Sequence, residues 1–121
     1  MTAVLDSPDT TVITGAAGWL GTGLVSAFTV DERQRSGRLR LLARDASEAE
    51  HLAAVTAGAA DRVQVVVGDV TDAADVARLF ADLDGVADVI HTAGVIHPVT
   101  FADFDAINHR GADNVLRAAE R

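Results

Sequence analysis

Apolar residues fall along this chain in short bursts of two alternating kinds. Thr10-Thr11-Val12-Ile13-Thr14 is β-branched throughout and stops at Gly15, which predicts a buried strand. Trp19, Leu20, Leu24, Val25 and Phe28 then recur at helical spacing and predict a helix over about residues 18–30. Asp31 to Gly37 is charged and polar and reads as a loop. Arg38-Leu39-Arg40-Leu41-Leu42-Ala43 is the second predicted strand. Ser47 with Glu50 three places on forms a capping-box pattern, so a helix is expected to about Ala57, with Gly58 at its end. Val63-Gln64-Val65-Val66-Val67 is a third strand, closed by Gly68-Asp69. Thr71 or Asp72 caps the next expected helix, which carries Val76, Leu79, Phe80 and Leu83 and ends at Gly85. Ala87-Asp88-Val89-Ile90-His91 is the fourth strand, ended by Ala93-Gly94. Beyond a loop through Pro98, a helix is expected from about Phe101 to Glu120, with Phe104, Ile107, Val115 and Leu116 on its apolar face.

Strands that alternate with helices in this order build a parallel sheet with helices on both faces. Right-handed crossovers reduce the topologies to a few. The expected fold class is α/β: a Rossmann-type, doubly wound parallel sheet, partial, with four strands in the order 3-2-1-4. Residues 1–9 are expected to form a flexible N-terminus, and residues 10–121 a single domain.

Composition narrows the chemistry. The chain has 121 residues, a formal net charge of -8, no cysteine and no tyrosine. All ten of its basic residues are arginine. Without cysteine there is no disulfide, thiolate nucleophile or Cys-ligated metal. An acidic surface repels phosphate backbones and anionic lipid, so neither nucleic acid nor a membrane is an expected partner. No apolar run reaches the ~20 residues of a membrane span, and the polar start has no signal-peptide pattern, so a cytoplasmic location is expected. His91, His97 and His109 lack metal-ligand spacing, and no metal is expected. The missing lysine removes a nucleoside-triphosphatase loop, and no serine or threonine has a base-and-orienter pair.

The informative segment is Thr14-Gly15-Ala16-Ala17-Gly18-Trp19-Leu20-Gly21, a G-x-x-G-x-x-G turn between a strand and a helix. Gly15 permits the sharp exit from the strand. Gly18 lets backbone N–H groups approach a pyrophosphate. Gly21 lets the helix pack close to the sheet. The helix N-terminus adds unpaired donors and a positive partial charge, so an anionic bridge needs no lysine. A turn of this composition also occurs for tight packing alone. Arg44, at the end of the second strand, is placed to meet the 2′-phosphate of NADP, although Asp45 beside it carries the opposite charge. Asp69 is placed to accept from an adenine amino group with Val70 packed on the ring; its alternative is a helix-capping loop residue. Ala93 and Gly94 end the fourth strand beside the glycine turn, where a cofactor backbone approaches closely.

Taken with Gly68-Asp69-Val70-Thr71-Asp72, Asp88-Val89-Ile90-His91-Thr92-Ala93-Gly94 and Asn108-His109-Arg110-Gly111-Ala112-Asp113-Asn114-Val115-Leu116, the turn resembles the short-chain dehydrogenase/reductase superfamily. The resemblance is to its extended branch of NAD-dependent epimerases and dehydratases. It implies that Gly15, Ala17, Gly18, Trp19, Leu20 and Gly21 surround the pyrophosphate, with Trp19 and Leu20 acting through backbone N–H groups. It also places Arg44 by the adenosine ribose, Asp69 and Val70 by the adenine, and Ala93 and Gly94 on the way to the nicotinamide. Asn108 matches a helix asparagine that supports a proton relay; His109 stands where the family carries an apolar residue. The cofactor implied is NADP or NAD, with Arg44 favouring NADP. Relatives carry their chemistry on a Ser or Thr and a Tyr-x-x-x-Lys pair, and this chain has neither Tyr nor Lys. The expectation is the dinucleotide-binding part of an NAD(P)-dependent oxidoreductase, epimerase or dehydratase that acts on a small molecule. In that reading the chain is truncated before the catalytic part. The alternatives are a non-catalytic dinucleotide-binding module and a remnant acting through protein interaction, with a homodimer formed through an exposed sheet edge.

Overall fold

The structure, a computed structural model, describes residues 10–30, 37–83, 87–93, 102 and 105–120. The expected N-terminus at 1–9, the loop after residue 30, Gly85, Gly94, His97-Pro98, Phe101 and Phe104 lie outside them.

Four parallel strands form one sheet: β1 (Thr10–Thr14), β2 (Arg38–Ala43), β3 (Val63–Val67) and β4 (Ala87–His91), in the order β3-β2-β1-β4. Thr10 of β1 pairs with Arg38 of β2 and with Ala87 of β4, and Leu39 of β2 pairs with Val63 of β3. Every residue of β1 is buried, as a central strand of β-branched residues should be. Helices among the described residues include α1 (Trp19–Val30), α2 (Ala46–Val55), α3 (Ala73–Leu79) and α4 (Gly111–Ala119). A 3-10 segment, Ala57–Arg62, leads into β3, and a π turn, Asp105–Arg110, leads into α4; neither has a signature in the pattern of apolar positions.

Side chains alternate across the sheet and divide the core in two. Ile13, Leu39, Leu41 and Ala43 face one side and pack with Val25 of α1 and Leu52 of α2. Val12 and Leu42 face the other and pack with Val76 and Leu79 of α3 and Val115 of α4. These four helices therefore cover both faces, two on each.

Three expectations need correction. Trp19 is 94% exposed, Leu20 54% and Leu116 63%, so none of them belongs to the core. The burial of Gly21 and Val25 sets the phase of α1 and turns its first two residues outward. The cap of α2 is Asp45, whose carboxylate accepts the Glu48 N–H at 2.9 Å, and not Ser47. β2 ends at Ala43, so the helix starts at the earlier of two overlapping capping patterns. Helix α3 stops at Leu79, four residues short of Leu83, and the chain behind it turns through Asp82 at φ 57°. Its start is as expected, with Asp72 accepting the N–H groups of Ala74 and Asp75.

Candidate active site: a cleft across the strand ends

All four strands point their C-terminal ends at one cleft of about 310 Å³. Gly15 and Gly18 reach it from the turn after β1, Leu42 and Arg44 from β2, Gly68, Asp69 and Val70 from the loop after β3, and Thr92 and Ala93 from behind β4. Glu48 of α2 and Ile107 of the π turn complete its wall. In a sheet of this order the strands beside β1 lead their connections to opposite faces, which opens a crevice there.

The glycine turn is shaped by what a side chain would strike. Gly15 has φ 65°, and a Cβ there would lie 2.5 Å from Thr92 Oγ1 and 2.7 Å from Ala93 N. A Cβ on Gly21 would collide with the Gly15 carbonyl oxygen and Ala16 Cα, so Gly21 lets the helix close onto its own turn. Gly18 donates its N–H to the Gly15 carbonyl at 3.0 Å and accepts from Thr22 N at 2.9 Å. The N–H groups of Trp19, Leu20 and Gly21 belong to the first turn of α1, where no intrahelical carbonyl meets them. No acidic residue occupies that turn. Ala17, Trp19, Leu20 and Gly21 flank the cleft by sequence but do not line it, whereas Gly15, Gly18, Arg44, Asp69, Val70 and Ala93 do.

Beneath the turn, a small polar network ties β1 to β4. The buried Thr14 hydroxyl lies 2.6 Å from His91 Nδ1 and accepts from Thr92 N at 3.2 Å and Ala93 N at 3.3 Å. Thr92 Oγ1 donates back to the Thr14 carbonyl at 2.7 Å. Burial lowers the His91 pKa below its ordinary 6.5, which favours the neutral ring. A neutral ring accepts from the Thr14 hydroxyl, whose two lone pairs then take the two N–H groups. His91 thus faces the neighbouring strand. The network fixes Thr92 and Ala93 against Gly15. Neither threonine stood out in the sequence, because the network joins residues nearly eighty positions apart.

The loop after β3 is braced by α3 and α4. Asp75 accepts the Asp69 N–H at 2.9 Å and pairs with Arg78 at 2.8 Å; that Arg78 bond, then the Asp69 one, holds its carboxyl below the usual range. Arg78 also donates to the Val67 carbonyl. Asp69 Oδ1 accepts from both Thr71 N and Thr71 Oγ1 at 2.8 Å, so one oxygen of Asp69 is used locally. Val70 is buried, with Gly111 of α4 against it and Asn114 Nδ2 donating to its carbonyl at 3.0 Å. Asn114 was missed as a site residue; it is an i+3 neighbour of Gly111 on the helix face that meets the loop. Asn108 lies in the π turn, whose Asp105 pairs with His109 at 3.0 Å and with Arg110 at 3.2 Å.

At the end of β2, Arg44 is paired. Its Nη2 lies 3.3 Å from Glu48 Oε2, and its N–H donates to Glu48 Oε1 at 2.8 Å. Asp45, expected to compete with Arg44, turns to cap α2, and Glu48 takes the acidic place in the cleft instead. Among the described residues no group of three or more His, Cys, Asp or Glu gathers as a metal site would require, and no helix is long and apolar enough to cross a membrane.

The KR-domain family matches this chain over residues 9–116. A curated relative, the uncharacterized protein y4nL of Sinorhizobium fredii, is 31% identical over 116 residues, which are 91% of this chain and 31% of that protein. The Bordetella bronchiseptica enzyme WbmG, solved in complex with NAD, superposes with a TM-score of 0.73 at 27% identity, over 98% of this chain and 36% of that one. A Brucella melitensis short-chain dehydrogenase/reductase, a glucose/ribitol dehydrogenase, superposes with a TM-score of 0.74 at 24% identity, over 92% of this chain and 50% of that one. The chain thus spans from about a third to a half of the length of these relatives.

Proposed function

From the premise that this chain belongs to the KR-domain family, within the short-chain dehydrogenase/reductases, we propose that it is the dinucleotide-binding part of an NAD(P)-dependent oxidoreductase acting on a small molecule. The observation that carries the reading is the cleft at the ends of all four strands with the glycine turn as one wall. The fit to the cofactor rests on two features. A Cβ at Gly15 or Gly21 would fill space the turn needs, and the first turn of α1 offers N–H donors with no acidic side chain among them.

Gly15, Gly18 and the N–H groups of Trp19 and Leu20 would hold the pyrophosphate. Asp69 keeps one carboxylate oxygen for an adenine amino group, and Val70 with Leu42 supplies apolar contact. Ala93 and Thr92, fixed by Thr14, would border the path toward the nicotinamide, with Gly94 next along the chain. Arg44 is the residue that would meet a 2′-phosphate, so the choice between NAD and NADP depends on the state of its guanidinium. When bound, the nicotinamide supplies hydride transfer; this chain's residues bind and orient it. No tyrosine or lysine is present to move the substrate proton, so residues outside this chain would carry that step, with Asn108 supporting their relay. Membership of the epimerase and dehydratase branch, and a cytoplasmic location, belong to the same proposal.

The absence of Tyr and Lys supports a second reading, a dinucleotide-binding module without catalysis. Calorimetric titration with NAD, NADH, NADP and NADPH, paired with a hydride-transfer assay, tests both. Weak binding with negligible turnover is expected of the isolated chain. No binding at millimolar cofactor would refute both readings, and measurable turnover would refute the division of labour.

A further inference from the structure

We propose that Glu48 sets the cofactor choice, and that it turns the adenosine end of the cleft toward a ribose with a free 2′-hydroxyl. The inference rests on the dinucleotide reading and deepens it.

Among the described residues that line the cleft, Arg44 is the basic one, while Glu48 and Asp69 are acidic. Their formal charges leave this wall at minus one. The Arg44 guanidinium does not stand alone in it. Glu48 uses one oxygen on Arg44 Nη2 at 3.3 Å and the other on the Arg44 backbone N–H at 2.8 Å. The carboxylate is the more enclosed partner, its side chain 29% exposed against 72% for Arg44. Its place is fixed from behind as well, because Asp45 holds the Glu48 N–H at the start of α2.

A dianionic 2′-phosphate drawn to Arg44 therefore arrives at ion-pair distance from Glu48. Parting the guanidinium from Glu48 is easy, because an exposed i,i+4 pair contributes little. Removing the repulsion is not, because the backbone bond keeps the carboxylate in the wall after the guanidinium has swung away. A 2′-hydroxyl brings no charge and has a proton to donate, and a carboxylate is an acceptor for it. Arg44 alone reads as an NADP residue; Arg44 with Glu48 reads as a site for NAD.

Calorimetric titration of the 121-residue chain with 5′-AMP and with adenosine 2′,5′-bisphosphate measures the preference without catalysis. Wild type is expected to bind AMP at least as tightly as the bisphosphate. Glu48→Gln keeps an oxygen for the Arg44 N–H and removes the charge. It is expected to tighten bisphosphate binding roughly tenfold while AMP changes less than about threefold. Glu48→Ala is expected to shift the ratio in the same direction. Glu50→Gln, on the exposed side of α2, removes the same charge away from the cleft and is expected to leave the ratio unchanged. The inference is overturned if wild type prefers the bisphosphate tenfold, if Glu48→Gln leaves the ratio unmoved, or if Glu50→Gln moves it equally. If neither nucleotide binds wild type, the dinucleotide reading fails and takes this inference with it; if both bind at a fixed ratio, only this inference fails.

Discussion

Two glycines in one turn and helix behave in opposite ways for reasons visible at single atoms. Gly15 sits at φ 65° with Thr92 and Ala93 pressed against the side where a Cβ would point. Gly15→Ala adds a left-handed strain of about 1–2 kcal/mol to an overpacking cost of about 1–3 kcal/mol. A loss of about 2–5 kcal/mol is expected, read by urea unfolding. Gly23, four places before Ala27 on the exposed side of α1, has nothing within 4 Å of its Cβ position. Gly23→Ala is expected to raise stability by about 0.5–1 kcal/mol, because alanine loses less backbone freedom in a helix. Equal effects at the two positions would contradict the assignment of Gly15 to a strained turn. The spacing of the glycines was legible because a turn is local chemistry. The cap of α2 was misassigned to Ser47 because Asp45-Ala46-Ser47-Glu48 and Ser47-Glu48-Ala49-Glu50 overlap, and only the end of β2 decides between them.

Elements in this molecule are joined at their ends by arginines reaching over long sequence distances. Helix α1 has no basic residue in its last turn to answer its free carbonyls. Arg62, arriving from the 3-10 segment before β3, donates to the carbonyls of Phe28 at 3.0 Å and Gly37 at 2.9 Å. Arg40 of β2 does the same for α3, donating to the Leu79 carbonyl at 3.1 Å. Arg62→Ala is expected to cost about 1.5–3 kcal/mol, the range for hydrogen bonds to a charged group. Arg62→Lys is expected to recover only part of this, because a single ammonium cannot match the guanidinium fork. Thermal unfolding of the three proteins checks this, and an unchanged Tm in Arg62→Ala would contradict it. The strands, their parallel order and the helices on both faces were legible, since alternation and helical period report local burial. Helix phase was less so: Trp19, Leu20 and Leu116 fit an apolar stripe yet face outward, because Val25 and Val115 determine which side turns to the sheet. The arginine staples and the Thr14–His91 network were not legible, because their partners are set by topology.

At the scale of the whole molecule, a chain with net charge -8 brings four strand ends together around a cleft with a glycine turn, and no lysine, in its wall. On the proposed reading, the helix N-terminus supplies one pyrophosphate with the local positive partial charge that the acidic chain as a whole lacks. The chain spans about a third to a half of the length of its relatives, and the proton-transfer pair is missing from its composition. On the proposed reading binding and catalysis are separable, and binding is the property this chain can be asked for directly. The decisive measurement is amide chemical-shift mapping by heteronuclear NMR as ADP-ribose is added to the labelled chain. The account predicts shifts clustered at Gly15, Gly18, Asp69 and Ala93, with Thr10, Arg38 and Val63 at the opposite ends of the strands unmoved. No shifts at millimolar ligand, or shifts centred on those opposite ends, would contradict it.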